Sequence, residues 1–375
     1  MMKTRYSWPL IATALFIIAH SSSLYSESEA NLRLLDWKPK SQLDVPQTDI
    51  IKPRFPVIDI HNHLRRSLDD PALMDSYLEE MDKAGIWMCI SLDGSGKEDL
   101  YLKHLEIANN TAPDRFSIFY RVNWERIDEP EFGQNEARNL ERAYDKGIRD
   151  LKISKALGLA VKDQTGRLVT VDDPRMDPVW AKCGELGIPV LIHISDPKAF
   201  YDPIDEFNER YDELAAHPEW SFHGDEFPPR EEILAARNRV IARHPKTNFI
   251  GAHVGNAPEE LGKVGLWLDR YPNLYVEIGA RISELGRQPY TARDFMIRYQ
   301  DRVLFGTDTP PNAKAYSLYY RFLETKDEYI APTEAHHLQG RWHIYGLHLP
   351  DEVLEKVYYK NALKVLGLSS TPAKF

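Results

Sequence analysis

Two histidines one residue apart, His61 and His63, close the run Asp59-Ile60-His61-Asn62-His63. In a strand, residues two apart point the same way, so both imidazoles are expected on one side. Neutral imidazoles at that spacing suit zinc and similar first-row ions. Alone the pair is weak, because two solvated loop histidines explain it equally well. Three later residues sharpen it. His193 ends Val190-Leu191-Ile192-His193, His253 ends Phe249-Ile250-Gly251-Ala252-His253, and Asp308 ends Leu304-Phe305-Gly306-Thr307-Asp308. Each follows apolar, strand-like residues at their carboxyl end.

Elements must bring these ends together. Short β-branched or apolar runs lie at 56–61, 86–92, 116–122, 148–153, 188–193, 248–253, 274–278 and 303–308. Amphipathic segments such as 71–84, 131–146, 174–186, 230–243 and 259–270 separate them. Strand-like runs alternating with helical segments argue for parallel βα units, and closure gives a (β/α)8 TIM barrel over 55–370. In a barrel the carboxyl ends of the strands meet at one mouth, where catalytic groups gather. Gly85, Gly147 and Gly187 each end a helical stretch just before a strand. The segment 196–229 is too long for an ordinary connection and reads as an active-site insertion after the fifth strand. A stretch at 325–348 with His336, His337, His343 and His348 is a second candidate cover, and the chain ends in a helical extension.

Other side chains are candidates for substrate contact. Arg65 and Arg66 follow the histidine pair and could clamp a carboxylate, although a solvated loop pair fits equally. Arg121 and Asn123 lie at the third strand's end, and Glu277 and Arg281 flank the seventh. Lys152 shares a face with Asp150, so it either meets a substrate carboxylate, pairs with Asp308, or forms a barrel ion pair with Asp150. Asp196 reads as a partner of His193 or a turn residue. Tyr201, Phe207, Trp220 and Phe222 could stack on a ring or simply pack the insertion.

With these motifs in order, the chain resembles the amidohydrolase superfamily. The likeness is to its amidohydrolase-related branch, which includes aminocarboxymuconate-semialdehyde decarboxylase-like enzymes. It runs from residue 55 to residue 368 and takes in the His-x-His, His193, His253, Gly306-Thr307-Asp308 and Asn361-Ala362. The resemblance implies that His61, His63, His193 and Asp308 ligate a divalent metal ion, with Zn2+ and a single ion favoured. It implies that His253 transfers a proton and that Asp308 can also orient water. Lys152 occupies a position resembling the carboxylated lysine that bridges two metals in some relatives, and it is not counted as a ligand here. Metal-assisted water attack on a lactone, ester or amide of a small anionic molecule is the leading expectation. Non-oxidative decarboxylation of a small carboxylic acid is the second, and a non-catalytic binding barrel the third. A homodimer is also implied.

Composition narrows the partners. The 375 residues carry 47 Lys+Arg against 57 Asp+Glu, a net charge of -10 with no basic block, which argues against nucleic acid and for a small-molecule substrate. Lys3 and Arg5, the apolar run 8–19 and Ser21 to Ser23 have the order of a signal peptide, so 1–23 is expected to direct export and leave no membrane anchor. Residues 24–54 read as an extended linker or strap. Cys89 and Cys183 read as small core residues.

Overall fold

The structure, a computed structural model, describes residues 32, 33, 36, 37, 39–64, 68–331 and 339–368. The expected signal peptide, and Arg65, Arg66, His336 and His337, lie outside these. The chain divides into two compact units, Met1–Asp44 and Val45–Phe375. In the first, the described residues form no helix or strand, and the Arg33 guanidinium donates to Asp36 at 2.6 Å.

In the second unit parallel strands alternate with helices, and local chemistry sets the boundaries. The helix Pro71–Ala84 shows how: the Asp70 carboxylate accepts from the Ala72 N–H at 3.1 Å, and proline occupies the first turn. Gly85 ends the helix at φ 70°, a left-handed conformation that costs glycine little. Its inner face buries Met74, Met81 and Ala84. The helices Glu98–Thr111, Phe132–Asp145, Asp177–Leu186, Arg230–Arg243, Leu261–Arg270, Pro289–Arg298 and Ala313–Glu324 follow the later strands in turn.

The strands are β1 (Val57–Asn62), β2 (Ile86–Ser91), β3 (Phe116–Ile118), β4 (Tyr120–Arg121), β5 (Leu151–Ile153), β6 (Val190–Ile192), β7 (Phe249–Gly251), β8 (Leu274–Glu277) and β9 (Val303–Leu304). They pair in order, β1 to β3 in one sheet and β4 to β9 in another, every ladder parallel. The expected third run, 116–122, is thus two strands. Consecutive residues change partner: the Phe119 N–H donates to the Ser91 carbonyl at 3.0 Å, and the Tyr120 N–H to the Asp150 carbonyl at 2.8 Å. A second interruption lies between β9 and β1. There the strands meet through an isolated Asn62–Thr309 bridge, an Ile60 N–H bond to the Phe305 carbonyl at 3.1 Å and an Asp308 N–H bond to the His61 carbonyl at 2.7 Å. The architecture is a (β/α)8 barrel whose hydrogen-bond ladder is not continuous.

Alternation along the strands makes two cores. Val57, Cys89, Tyr120, Leu151, Ile153, Val190, Ile192, Phe249 and Val276 face the helices, where Cys183 and Trp180 also lie. Ile58, Ile60, Ile90, Leu92, Phe119, Leu191, Ile250, Tyr275 and Leu304 fill the barrel. Ala362, Val365 and Leu366 of the helix Asn361–Leu366 join this inner cluster. The Asn361 amide donates to the Gln300 and Val303 carbonyls, both at 2.7 Å, so this helix closes the amino-terminal end of the barrel. The opposite end is left for chemistry.

Candidate metal centre and active site

Above the inner apolar layer, the next inward residue on several strands is polar. Arg121 follows Phe119, His193 follows Leu191 and Glu277 follows Tyr275, while Lys152 stands between the outward Leu151 and Ile153. On β1 plain alternation would turn Asn62 inward after Ile58 and Ile60. The pairing of β1 with β2 instead shifts register between Asp59 and Asn62. Those two residues, three apart, end on the same side, with the Asn62 amide donating to Asp59 at 3.0 Å. The shift releases His61 and His63 to converge on one acceptor.

That acceptor is Asp308. Its Oδ1 lies 2.9 Å from His61 Nε2 and 3.0 Å from His63 Nε2. The far nitrogen of each ring is also held: His61 Nδ1 by Glu277 Oε1 at 2.8 Å, and His63 Nδ1 by Asp93 Oδ1 at 2.7 Å. Carboxylates on the Nδ1 side fix ring orientation and leave Nε2 free to ligate, the usual support of a metal-binding histidine. One ligand atom from each of His61, His63 and Asp308 lies within 4.8 Å of the others. His61, His253 and Glu277 form a second such group, but Glu277 is already engaged by the N–H groups of His253 at 2.6 Å and Gly279 at 2.5 Å. The first group is therefore the one whose donors fit a divalent cation.

His253 lies beside this group. Its Nδ1 is 2.8 Å from the Gly279 carbonyl, which only accepts, so Nδ1 carries the proton. Nε2 is thereby an acceptor, 3.8 Å from Asp308 Oδ2. Burial, then Arg281 and His193, push its pKa well below the usual imidazole range. Burial opposes ionisation of His61 as well, but Glu277 and Asp308 outweigh it and raise that ring to about 9. Asp308 is held well below the carboxylate range because His61 and His63 outweigh its own burial.

His253, Val254 and Asp308 are not strand residues, as the runs 248–253 and 303–308 suggested. They follow β7 and β9 in left-handed backbone, with φ of 56°, 56° and 66°. For a β-branched residue such as Val254 this is a costly conformation, and such strain collects where surrounding structure holds functional groups. A buried carboxylate supplies part of that hold. Asp59 accepts from the His61 N–H (3.1 Å), the Asn62 amide (3.0 Å), the Thr307 N–H and hydroxyl (3.2 and 2.6 Å) and the Tyr316 hydroxyl (2.9 Å). It ties the His61 end of β1 to the Asp308 end of β9 where the sheet ladder is interrupted. Gly306 permits this approach, because a Cβ there would sit 2.7 Å from Glu277 Oε2 and 2.8 Å from His61 Cβ.

The remaining candidates separate. The His193 ring is 4.4 Å from that of His253, yet its Nε2 faces Asp196 Oδ1 at 3.4 Å, and it stands beside the ligand-distance group rather than within it. Asp196 also takes Lys155 at 2.6 Å and lies 3.6 Å from the Arg281 guanidinium. Lys152 is 5% exposed, and its ammonium has no hydrogen-bond partner among the described residues. Burial, against the pull of Asp308 and Glu277, lowers it to about 8. The ion pair with Asp150 does not form: Asp150 takes the Ser117 hydroxyl at 3.3 Å instead. Asn123 caps a short turn through the Glu125 N–H. On the insertion, the Tyr201 hydroxyl is 2.9 Å from the Ser195 hydroxyl, and Phe222 lies under the Lys155 ammonium at 4.9 Å. Trp220 stacks on His217 at 4.0 Å, and Phe207 is 86% exposed. His343 stacks on Tyr329 at 3.8 Å and belongs to neither ligand-distance group. Asp93 and Asp59 were not singled out from sequence. Asp93 follows the second strand-like run, where the same strand-end rule would have found it.

Comparison with known proteins agrees with this architecture. No curated protein sequence matches the chain. Among solved structures, a putative amidohydrolase from Staphylococcus aureus is 17% identical, covering 84% of this chain and 100% of its own, with a TM-score of 0.51. A dihydroxybenzoic acid decarboxylase from Polaromonas sp. JS666, with bound manganese and the inhibitor 2-nitroresorcinol, is 16% identical, covering 84% and 98% with a TM-score of 0.53. The 4-oxalomesaconate hydratase of Rhodopseudomonas palustris is 14% identical, covering 83% and 95% with a TM-score of 0.50. At these identities the likeness is one of fold. The amidohydrolase family model matches residues 58–368, so the chain belongs to the amidohydrolase family of metal-dependent enzymes.

Proposed function

We propose that the protein is a hydrolase that opens a lactone, ester or amide of a small molecule. It would use one divalent ion, Zn2+ in our reading, held by His61, His63, His193 and Asp308. Bound there, the ion supplies Lewis acidity to a carbonyl oxygen and acidifies water. Glu277 and Asp93 keep the two imidazoles of the His-x-His in their ligating tautomer. His193 joins the set once its ring leaves Asp196.

The observation that carries hydrolysis is the bond from His253 Nδ1 to the Gly279 carbonyl. It leaves Nε2 as a lone pair facing the Asp308 carboxylate, ready to take a proton from attacking water and return it to the leaving group. Decarboxylation needs the reverse at its decisive step, a proton delivered to carbon. That second reading keeps one point in its favour, since the cationic Lys152 and Arg121 could hold a departing carboxylate. Candidate lactones and aromatic acids, incubated with metal-loaded and chelator-treated protein, distinguish the two. Metal-dependent proton release without CO2 is expected; metal-dependent CO2 release would overturn the assignment. The N-terminal charge and apolar pattern support an exported enzyme, and family resemblance supports a homodimer.

A further inference from the structure

The mouth of the barrel is electrically lopsided. Asp308 and Glu277 lie with His61 and His63 toward β1, β8 and β9, and Asp93 follows β2. Across from them, the inward side chains of β4 and β5 are two cations, Arg121 and Lys152, and the carboxylate just before β5, Asp150, is taken by the Ser117 hydroxyl. Arg121 and Lys152 are paired in register on these neighbouring parallel strands, so their side chains leave the sheet on the same side. That side is inward, because Tyr120, Val122, Leu151 and Ile153 all face the outer core. Among the described residues Lys152 bonds to nothing, although it is nineteen-twentieths buried, and neither residue forms an ion pair. A buried ammonium without a partner is costly unless something else completes it. The adjacent guanidinium repels it and makes an uncompensated pair less favourable still.

From this geometry we infer that Arg121 and Lys152 form a substrate subsite for a carboxylate, placed across the mouth from the metal ligands. The inference deepens the hydrolase reading and rests on it: the scissile carbonyl lies against the His61, His63 and Asp308 side, and a separate carboxylate of the same molecule is received by the cations. Guanidinium takes a carboxylate through two parallel N–H groups, and the ammonium adds a point charge from the next strand. The substrate class is thus a small lactone, ester or amide bearing its own carboxylate.

The test separates binding from turnover. Glutarate and its neutral diamide are titrated calorimetrically into metal-loaded protein, as wild type and as Arg121→Gln, Arg121→Lys and Lys152→Gln, with metal content and melting temperature measured for each. Glutarate is expected to bind wild type and the diamide not. Each Gln variant should lose at least about tenfold in glutarate affinity while keeping its metal and its fold, and Arg121→Lys should recover part. Equal affinity in wild type and the Gln variants would overturn the subsite, as would loss of metal from Lys152→Gln, which would make that lysine a ligand. Turnover of a γ-lactone carboxylate against its primary amide is then compared in wild type. No turnover of either, with binding behaving as expected, rejects the hydrolase reading and leaves the subsite standing.

Discussion

On the side of β1, β8 and β9 the Asp59 carboxylate accepts five hydrogen bonds and Glu277 three, whereas across the mouth the Lys152 ammonium has none among the described residues. Asp59, Glu277 and Lys152 are all buried, so solvent does not explain the contrast between them. A carboxylate engaged by several donors holds them in one geometry, as ligand placement demands. The buried Lys152 ammonium, beside the half-buried Arg121, would gain its compensation when an anion arrives. The first region is organised in advance, and the second, as proposed, would be completed by substrate.

The largest effect should come from breaking the organised side at its centre. His61→Ala removes an imidazole that meets both Glu277 and Asp308, and turnover should fall on the order of 10^3-fold or more, with metal content falling in parallel. Asp59→Ala touches no ligand atom of the centre directly, yet it removes a buried acceptor shared by His61, Asn62, Thr307 and Tyr316. We expect a stability loss of about 3 kcal/mol in urea unfolding, together with weaker metal binding. Asp93→Asn should keep the fold and cost about 10- to 100-fold in metal affinity, read by competition with a chelating dye.

On the other side, Asp150 gives a contrasting carboxylate. Burial raises it to about 7, with only the Ser117 hydroxyl and Arg149 opposing. Its folded value lies above the unfolded one, so the folded state holds the proton more tightly. The stability this contributes is full at acid pH and is lost as pH rises from about 4 through 7. Asp150→Asn abolishes that slope, so the variant should gain on wild type across this window in melting experiments. A variant that instead loses ground as pH rises would place Asp150 among the engaged carboxylates. Phe207→Ala, at an exposed position of the insertion, should change stability by less than about 0.5 kcal/mol and leave turnover unaltered.

Much of the fold was legible because strand and helix periods differ and turn glycines mark the joins. The helices Pro71–Ala84 and Arg230–Arg243 coincide with their amphipathic segments, and Gly85 and Gly187 cap helices in left-handed conformation as their positions implied. Strand ends were less legible. An apolar run continues through residues that leave the ladder, so His253 and Asp308 looked like strand termini when they belong to the turns that follow, whereas His193 still donates its N–H to the Ile153 carbonyl at 2.9 Å. The break at Phe119 had no local signal, since a change of pairing partner depends on where Ser91 and Asp150 arrive from elsewhere in the chain.

Residue type and spacing by themselves determined the barrel class, and they singled out His61, His63, His193, His253 and Asp308 as candidates at the carboxyl ends of strands. Those follow from periodicity and from which side chains can ligate or move a proton. Tertiary structure alone decided which carboxylate serves which ring, that Lys152 meets no partner in Asp150, and that Asp59 joins the first and last strands beneath the centre. Each of these depends on distances between residues far apart in the chain, and such distances exist only once the strands have packed.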